Sequence, residues 1–152
     1  MKPVYIINGF LESGKTEFIT YTLSQPYFQI RGKTLLIVCE EGEVEYEEVL
    51  LRKSRTVMEV IDEEENFTPE NLIELEKKYK PERIVIEYNG MWNCKNMKLP
   101  WHWSVEQQIT TINGATFQNY YTNMKSLLAE QIRKSELIIF KPLCKNYSEC
   151  LV

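Results

Sequence analysis

The sequence predicts an α/β fold in three layers, a doubly wound and mostly parallel sheet enclosed by helices. Three observations carry that prediction. Short apolar runs without alternation recur along the chain, stretches of helical spacing separate them, and a glycine-rich turn joins the first run to the first helix. Runs of this kind suit strands buried on both faces. Their alternation with helices builds βαβ units and a parallel sheet. The 152 residues fit one domain, and a single core of that size removes roughly 70% of the unfolded chain's surface from water.

The first strand is Val4-Tyr5-Ile6-Ile7, followed by Asn8-Gly9 and a helix from Lys15 to about Leu23, which Pro26 stops. The second strand, residues 34–39, is apolar throughout, and residues 56–61 form a weaker third. Thr68 caps the next helix, Pro69 suits its first position, and Leu72, Ile73 and Leu75 continue its period. Lys77, Lys78 and Lys80 lie at its C-terminal end, where the helix dipole favours cations. Residues 83–87 form a strand ending on Glu87, followed by Asn89-Gly90. An irregular, Trp-rich stretch covers 91–103, residues 107–112 form a fifth strand, 116–133 a long helix, and 136–140 a last strand. No internal repeat or low-complexity linker interrupts this order. Tyr120, Tyr121, Met124, Leu127, Leu128 and Ile132 recur at helical spacing and are expected in the core.

Charge and composition exclude several function classes. Eighteen Lys and Arg against 22 Asp and Glu leave a net charge of -4, without the basic footprint of a general nucleic-acid or anionic-membrane binder. No run approaches the roughly 18 apolar residues of a membrane span, and the N-terminus lacks a signal peptide's longer apolar region and cleavage site. Cys39, Cys94, Cys144 and Cys150 form no C-x-x-C pair and read as reduced thiols. The expected location is the cytoplasm.

The segment richest in chemistry is Gly9-Phe10-Leu11-Glu12-Ser13-Gly14-Lys15-Thr16, a full G-x-x-x-x-G-K-T pattern between a strand and a helix. Glycines let successive N–H groups turn inward onto a phosphate, and the helix adds its positive end. Gly9, Glu12, Ser13 and Gly14 therefore form the expected phosphate cradle. Lys15 is expected on the β- and γ-phosphates and Thr16 on Mg²⁺. The fold class is that of a P-loop NTPase.

With Cys39-Glu40-Glu41-Gly42-Glu43-Val44 after the second strand and Glu87-Tyr88-Asn89-Gly90 after the fourth, the chain resembles the CobW-type GTPases and the wider group with the HypB and UreG metallochaperones. The resemblance runs from Val4 to Phe140. It departs from the family's phosphate loop at Glu12. It implies GTP and Mg²⁺ as ligands, with Lys15, Glu87 and Glu43 in catalysis, Thr16, Glu87 and Glu40 on the metal, and the Gly90 N–H on the γ-phosphate. Glu43 is also the candidate for orienting the attacking water. The resemblance further implies a part in metal homeostasis or cofactor assembly, with nucleotide-dependent contact to a metalloprotein client or a second copy. A solvated acidic face is the alternative for Glu40, Glu41, Glu43, Glu45, Glu47 and Glu48.

Two departures qualify the match. Nothing between Val44 and Ile61 supplies the cysteines of the family's metal motif, and Cys39, Cys94 and His102 are scattered. Lys141-Pro142-Leu143-Cys144 stands where the family has its guanine-recognising N-K/R-x-D. The reading is a nucleotide-binding domain over 1–140 with an atypical tail, 141–152, as in a truncated form. The rival readings are a nucleotide-binding interaction module, or remnant, without efficient hydrolysis, and an ATP-using enzyme with the same loop. Trp92, Trp101 and Trp103 are expected to close the sheet edge over the core, with a partner-contacting loop as the alternative. His102 is expected to be a hydrogen-bonded or surface residue.

Overall fold

The computed structural model describes residues 1–40, 42 and 44–141. β1 (Lys2–Asn8) leads through the glycine-rich turn into α1 (Lys15–Ser24). There follow β2 (Thr34–Val38), α2 (Glu48–Lys53), β3 (Thr56–Val60), α3 (Pro69–Tyr79) and β4 (Arg83–Glu87). β5 (Trp103–Asn113), α4 (Phe117–Asn123), α5 (Lys125–Lys134) and β6 (Leu137–Lys141) complete the described chain.

The six strands form one sheet in the order β3-β2-β4-β1-β5-β6, and each neighbouring pair is parallel. The chain winds from β1 outward to β3, returns through β4 and then crosses to β5 and β6. Because all strands point one way, the segments after β1, β2, β4 and β5 and the last residue of β6 gather at one edge. The reversal of winding opens a crevice there beside β1.

The unalternating apolar runs are explained by burial on two faces. Leu35 and Ile37 of β2 join Val4, Ile6, Ile84 and Ile86 in the core under α3, closed by Leu72, Phe67 and Trp103. Leu36 and Val38 turn to the other face and meet Ile7, Val85, Ile19 and Leu23 under α1. A third cluster, of Phe10, Ile112 and Leu128, lies under α4 and α5. The Thr68 hydroxyl accepts from the Asn71 N–H at 3.3 Å, and Lys80 closes α3 at φ 50.

Several expectations are corrected. β5 begins at Trp103, inside the stretch expected to be irregular, because a bulge lets its register step past Glu106 between the partners of Val4 and Tyr5. The long helix over 116–133 is two helices. Met124, at φ -133 and ψ 39, bends the chain while its N–H still reaches Tyr120 and its C=O still accepts from Leu128. The bend lets Tyr120 stack on Phe10 while Leu128 reaches Ile112. Tyr121 is exposed, since it lies on the outer side of that bend. Of the tryptophans, Trp103 is buried and Trp92 packs on the core, but Trp101 is 86% exposed in the turn before β5. α2 was not foreseen; Leu50 and Leu51 seat it against the α1 face. β6 takes in Lys141, and the remainder of the expected tail, with Cys144 and Cys150, lies outside the described residues.

Candidate functional site

The turn after β1 is shaped by backbone conformations that its residues tolerate unequally. Gly14 caps α1 at φ 98, a left-handed conformation open to glycine. Glu12 adopts φ 60 without being glycine, and its carbonyl is held by the Asn113 amide at 3.2 Å. The Ser13 N–H returns to the Phe10 carbonyl at 3.1 Å, and its hydroxyl meets that of Thr111 at 2.6 Å. The loop is thus pinned to the end of β5. Gly90, after β4, packs directly on it. A Cβ at Gly90 would lie 2.1 Å from the Gly9 carbonyl oxygen and 2.7 Å from Phe10 Cα.

Lys15, in the first turn of α1, is buried, and its ammonium donates to the Gly9 carbonyl at 2.7 Å and the Phe10 carbonyl at 3.4 Å. It also forms an ion pair with Glu40 from the loop after β2. Loop carbonyls and a carboxylate therefore occupy the donors that a phosphate would take. One turn face away, the Thr16 hydroxyl donates to Glu87 Oε1 at 2.9 Å, and the Tyr46 hydroxyl donates to Glu87 Oε2. Burial pushes the Glu87 carboxyl above the usual carboxylate range, against the lowering effect of the Tyr46 and Thr16 hydrogen bonds and the Lys15 charge.

These groups face a cleft of about 130 Å³ at the strand ends, lined among others by Gly14, Lys15, Thr16, Glu40, Glu87 and Lys141. Glu12 and Glu17 also line it, so four carboxylates accompany two ammonium groups. Lys141 Nζ lies 3.6 Å from Glu17 Oε1. A polyphosphate entering so acidic a cleft needs a cation beside it. Thr16 and Glu87 offer the hard oxygen donors that Mg²⁺ prefers.

The structure brings Gly9, Glu12, Ser13, Gly14, Lys15, Thr16, Glu40, Glu87 and Gly90 to one edge. Glu43 lies outside the described residues. His102 stands apart, at the opposite end of β5, where its Nε2 and the Trp103 Nε1 each meet Glu76 Oε2 at 2.7 Å. Burial raises the Glu76 carboxyl, but those two hydrogen bonds with the His102 and Lys2 charges hold it below its ordinary value. The described residues contain no cluster of three or more His, Cys, Asp or Glu suited to a metal. Cys39 and Cys94 are buried thiols pushed upward chiefly by desolvation. No helix among the described residues is long and apolar enough to cross a membrane.

Sequence reasoning missed Thr111 and Asn113 as supports of the loop and Tyr46 as a partner of Glu87. Asn113 had a signal, as a polar residue closing an apolar strand. Tyr46 had none, since its contact with Glu87 spans 41 residues.

A crevice at the ends of parallel strands, holding a glycine turn, a buried lysine and a helix start, defines a P-loop nucleotide-binding protein. The family model for CobW/HypB/UreG, nucleotide-binding domain, matches residues 3–142, and the chain belongs to that family. Comparison with curated proteins finds no match. Comparison with solved structures finds none either.

Proposed function

We propose that this chain binds GTP together with Mg²⁺ and hydrolyses its β–γ bond. The observation that carries the reading is the convergence of the Lys15 ammonium with the Thr16–Glu87 pair on one cleft at the end of β1. Lys15 leaves Glu40 and the loop carbonyls to neutralise the β- and γ-phosphate oxygens, and the N–H groups around Gly9, Glu12, Ser13 and Gly14 cradle the phosphate chain. Thr16, Glu87 and Glu40 are the residues that would hold Mg²⁺, through the hydroxyl of the first and the carboxylates of the other two. The ion supplies charge neutralisation for the transferring phosphoryl group. The Gly90 N–H contacts the terminal phosphate, and Glu43 orients the attacking water.

Family membership supports guanine as the base, a role in metal homeostasis or cofactor assembly, and contact with a metalloprotein client or a second copy. The cytoplasmic setting is supported by the N-terminal sequence and by cysteine spacing without a C-x-x-C pair. A second reading, nucleotide binding without efficient hydrolysis, is motivated by Lys141-Pro142-Leu143-Cys144 standing where the family has its base-recognising element. The two readings part on turnover.

The test is titration of the 152-residue chain with fluorescent GDP and ADP analogues, with and without Mg²⁺, followed by phosphate release from GTP. Mg²⁺-aided binding that prefers GDP, with release abolished by Lys15→Ala, supports the GTPase. Binding without release supports the second reading. No binding by a folded chain sinks both.

A further inference from the structure

Gln131 of α5 is buried to 1% exposure, and nothing in the phosphate site accounts for it. Its Nε2 donates to the Gly90 carbonyl at 2.9 Å, across 41 residues of chain. Its Oε1 is buried and has no hydrogen-bond partner among the described residues. A reversed amide would face the Gly90 carbonyl with its own oxygen, so the orientation is set by that one bond. A buried amide that satisfies only one of its two ends is a poor packing element, and an apolar side chain of equal volume would fill the space without an orphan.

The helix around Gln131 is itself held in place. The Gln131 carbonyl accepts from the Thr110 hydroxyl at 3.1 Å and from the Ser135 hydroxyl at 2.7 Å, fixing this turn of α5 to β5. Two further contacts tie α5 to the segment after Gly90. Lys134 Nζ donates to the Cys94 carbonyl at 3.1 Å, and Lys95 Nζ lies 3.4 Å from Glu130 Oε1. The segment from Gly90 to Cys94 is therefore suspended between the phosphate loop, where Gly90 touches Gly9 and Phe10, and α5, where Gln131 and Lys134 hold its carbonyls.

We propose that Gln131 is a positioning residue that couples the Gly90 turn to α5, so that a terminal phosphate arriving at Gly90 is registered by that helix and the surface it carries. The proposal rests on the nucleotide reading above and adds the element that responds to nucleotide state. The Gly90 carbonyl is the end of the coupling that the phosphate site can turn, and the Gln131 backbone is the end held on β5. A phosphate that draws on the Gly90 N–H turns the adjoining peptides, and the Gln131 amide then follows with its donor or presents its free acceptor. Because the Gln131 carbonyl is anchored to Thr110 of β5, that rotation reaches α5 as a change in how firmly this turn of the helix is held, which its amide exchange reads.

The experiment is amide hydrogen exchange of the full chain bound to GDP or to a non-hydrolysable GTP analogue, with Mg²⁺, in wild type and Gln131→Met. Wild type is expected to show a triphosphate-dependent change in exchange across Lys125–Lys134. Gln131→Met is expected to reduce that difference at least tenfold, while GDP affinity stays within twofold. Gln131→Leu, which removes both ends of the amide, is expected to do the same and serves if the first variant does not fold. A variant that retains the α5 response overturns the coupling and leaves the nucleotide reading standing, as does a wild type whose α5 ignores the third phosphate. Failure of wild type to bind either nucleotide overturns both.

Discussion

Thr16 and Glu87 meet at 2.9 Å, joining the first turn of α1 to the last residue of β4. They are 71 residues apart in the chain, yet each sits where its element ends at the crevice. The carboxylate is almost fully buried, and Tyr46 takes its second oxygen.

That burial gives Glu87 a pH dependence of known sign. Its folded value lies above the unfolded one, so it favours the fold when protonated. The contribution is present in full at low pH and is lost as pH rises through the folded value. Glu87→Gln is therefore expected to be more stable than the nucleotide-free, Mg²⁺-free wild type near neutral pH. Urea midpoints from about pH 4 to pH 8 should show the gap opening as pH rises. Mg²⁺ should narrow it at neutral pH. A gap that is constant with pH would refute this assignment.

Glu40 holds the Lys15 ammonium, so under the proposed function it competes with phosphate for it. Glu40→Gln should strengthen Mg²⁺-free GDP binding about tenfold, or about 1.4 kcal/mol, while lowering the stability of the empty protein by about 2 kcal/mol because Lys15 loses its counter-ion. Affinity by titration and stability by thermal melts should move in opposite directions. Both falling together would mean that Glu40 supports the site instead of closing it.

Glu12 holds a left-handed backbone that costs a side-chain-bearing residue about 1–2 kcal/mol. Glu12→Gly should remove that cost and one carboxylate from the cleft, although glycine's greater freedom in the unfolded chain offsets part of the gain. The expected result is a rise of about 1 kcal/mol in unfolding free energy with tighter nucleotide binding, checked by denaturant titration and by the fluorescent analogue.

Gly90 has no room for a methyl group. Gly90→Ala should cost about 1–3 kcal/mol and abolish nucleotide binding, because the atoms its Cβ meets are backbone atoms of Gly9 and Phe10. Retained affinity in a folded variant would show that the loop relaxes without losing its shape.

Cys39 and Cys94 should resist thiol reagents in the native state, since desolvation disfavours the thiolate. Peptide-resolved mass spectrometry after brief alkylation should find both unmodified until denaturant is added. Fast labelling of either would place it in a more open environment.

Local pattern was enough for much of this protein. Val4 to Ile7, the unbroken apolar run of β2, and the Thr68-Pro69 start of α3 each carry their element in neighbouring residues, because periodicity and capping are short-range. The G-x-x-x-x-G-K-T spacing placed Gly14, Lys15 and Thr16 for the same reason, and the family resemblance added Glu87 and Gly90. What neighbours in sequence could not supply was set by packing. The bend at Met124 follows from Phe10 of the turn after β1 holding Tyr120 while Ile112 of β5 holds Leu128. The bulge at Glu106 hides a strand whose alternation it interrupts. The engagement of Lys15 by Glu40, of Glu87 by Tyr46 and of Gly90 by Gln131 spans 25, 41 and 41 residues, and each arises because parallel strands deliver their ends to one edge. Motif spacing determines which groups are available to a phosphate, and the order of strands in the sheet decides which distant residues hold those groups in place.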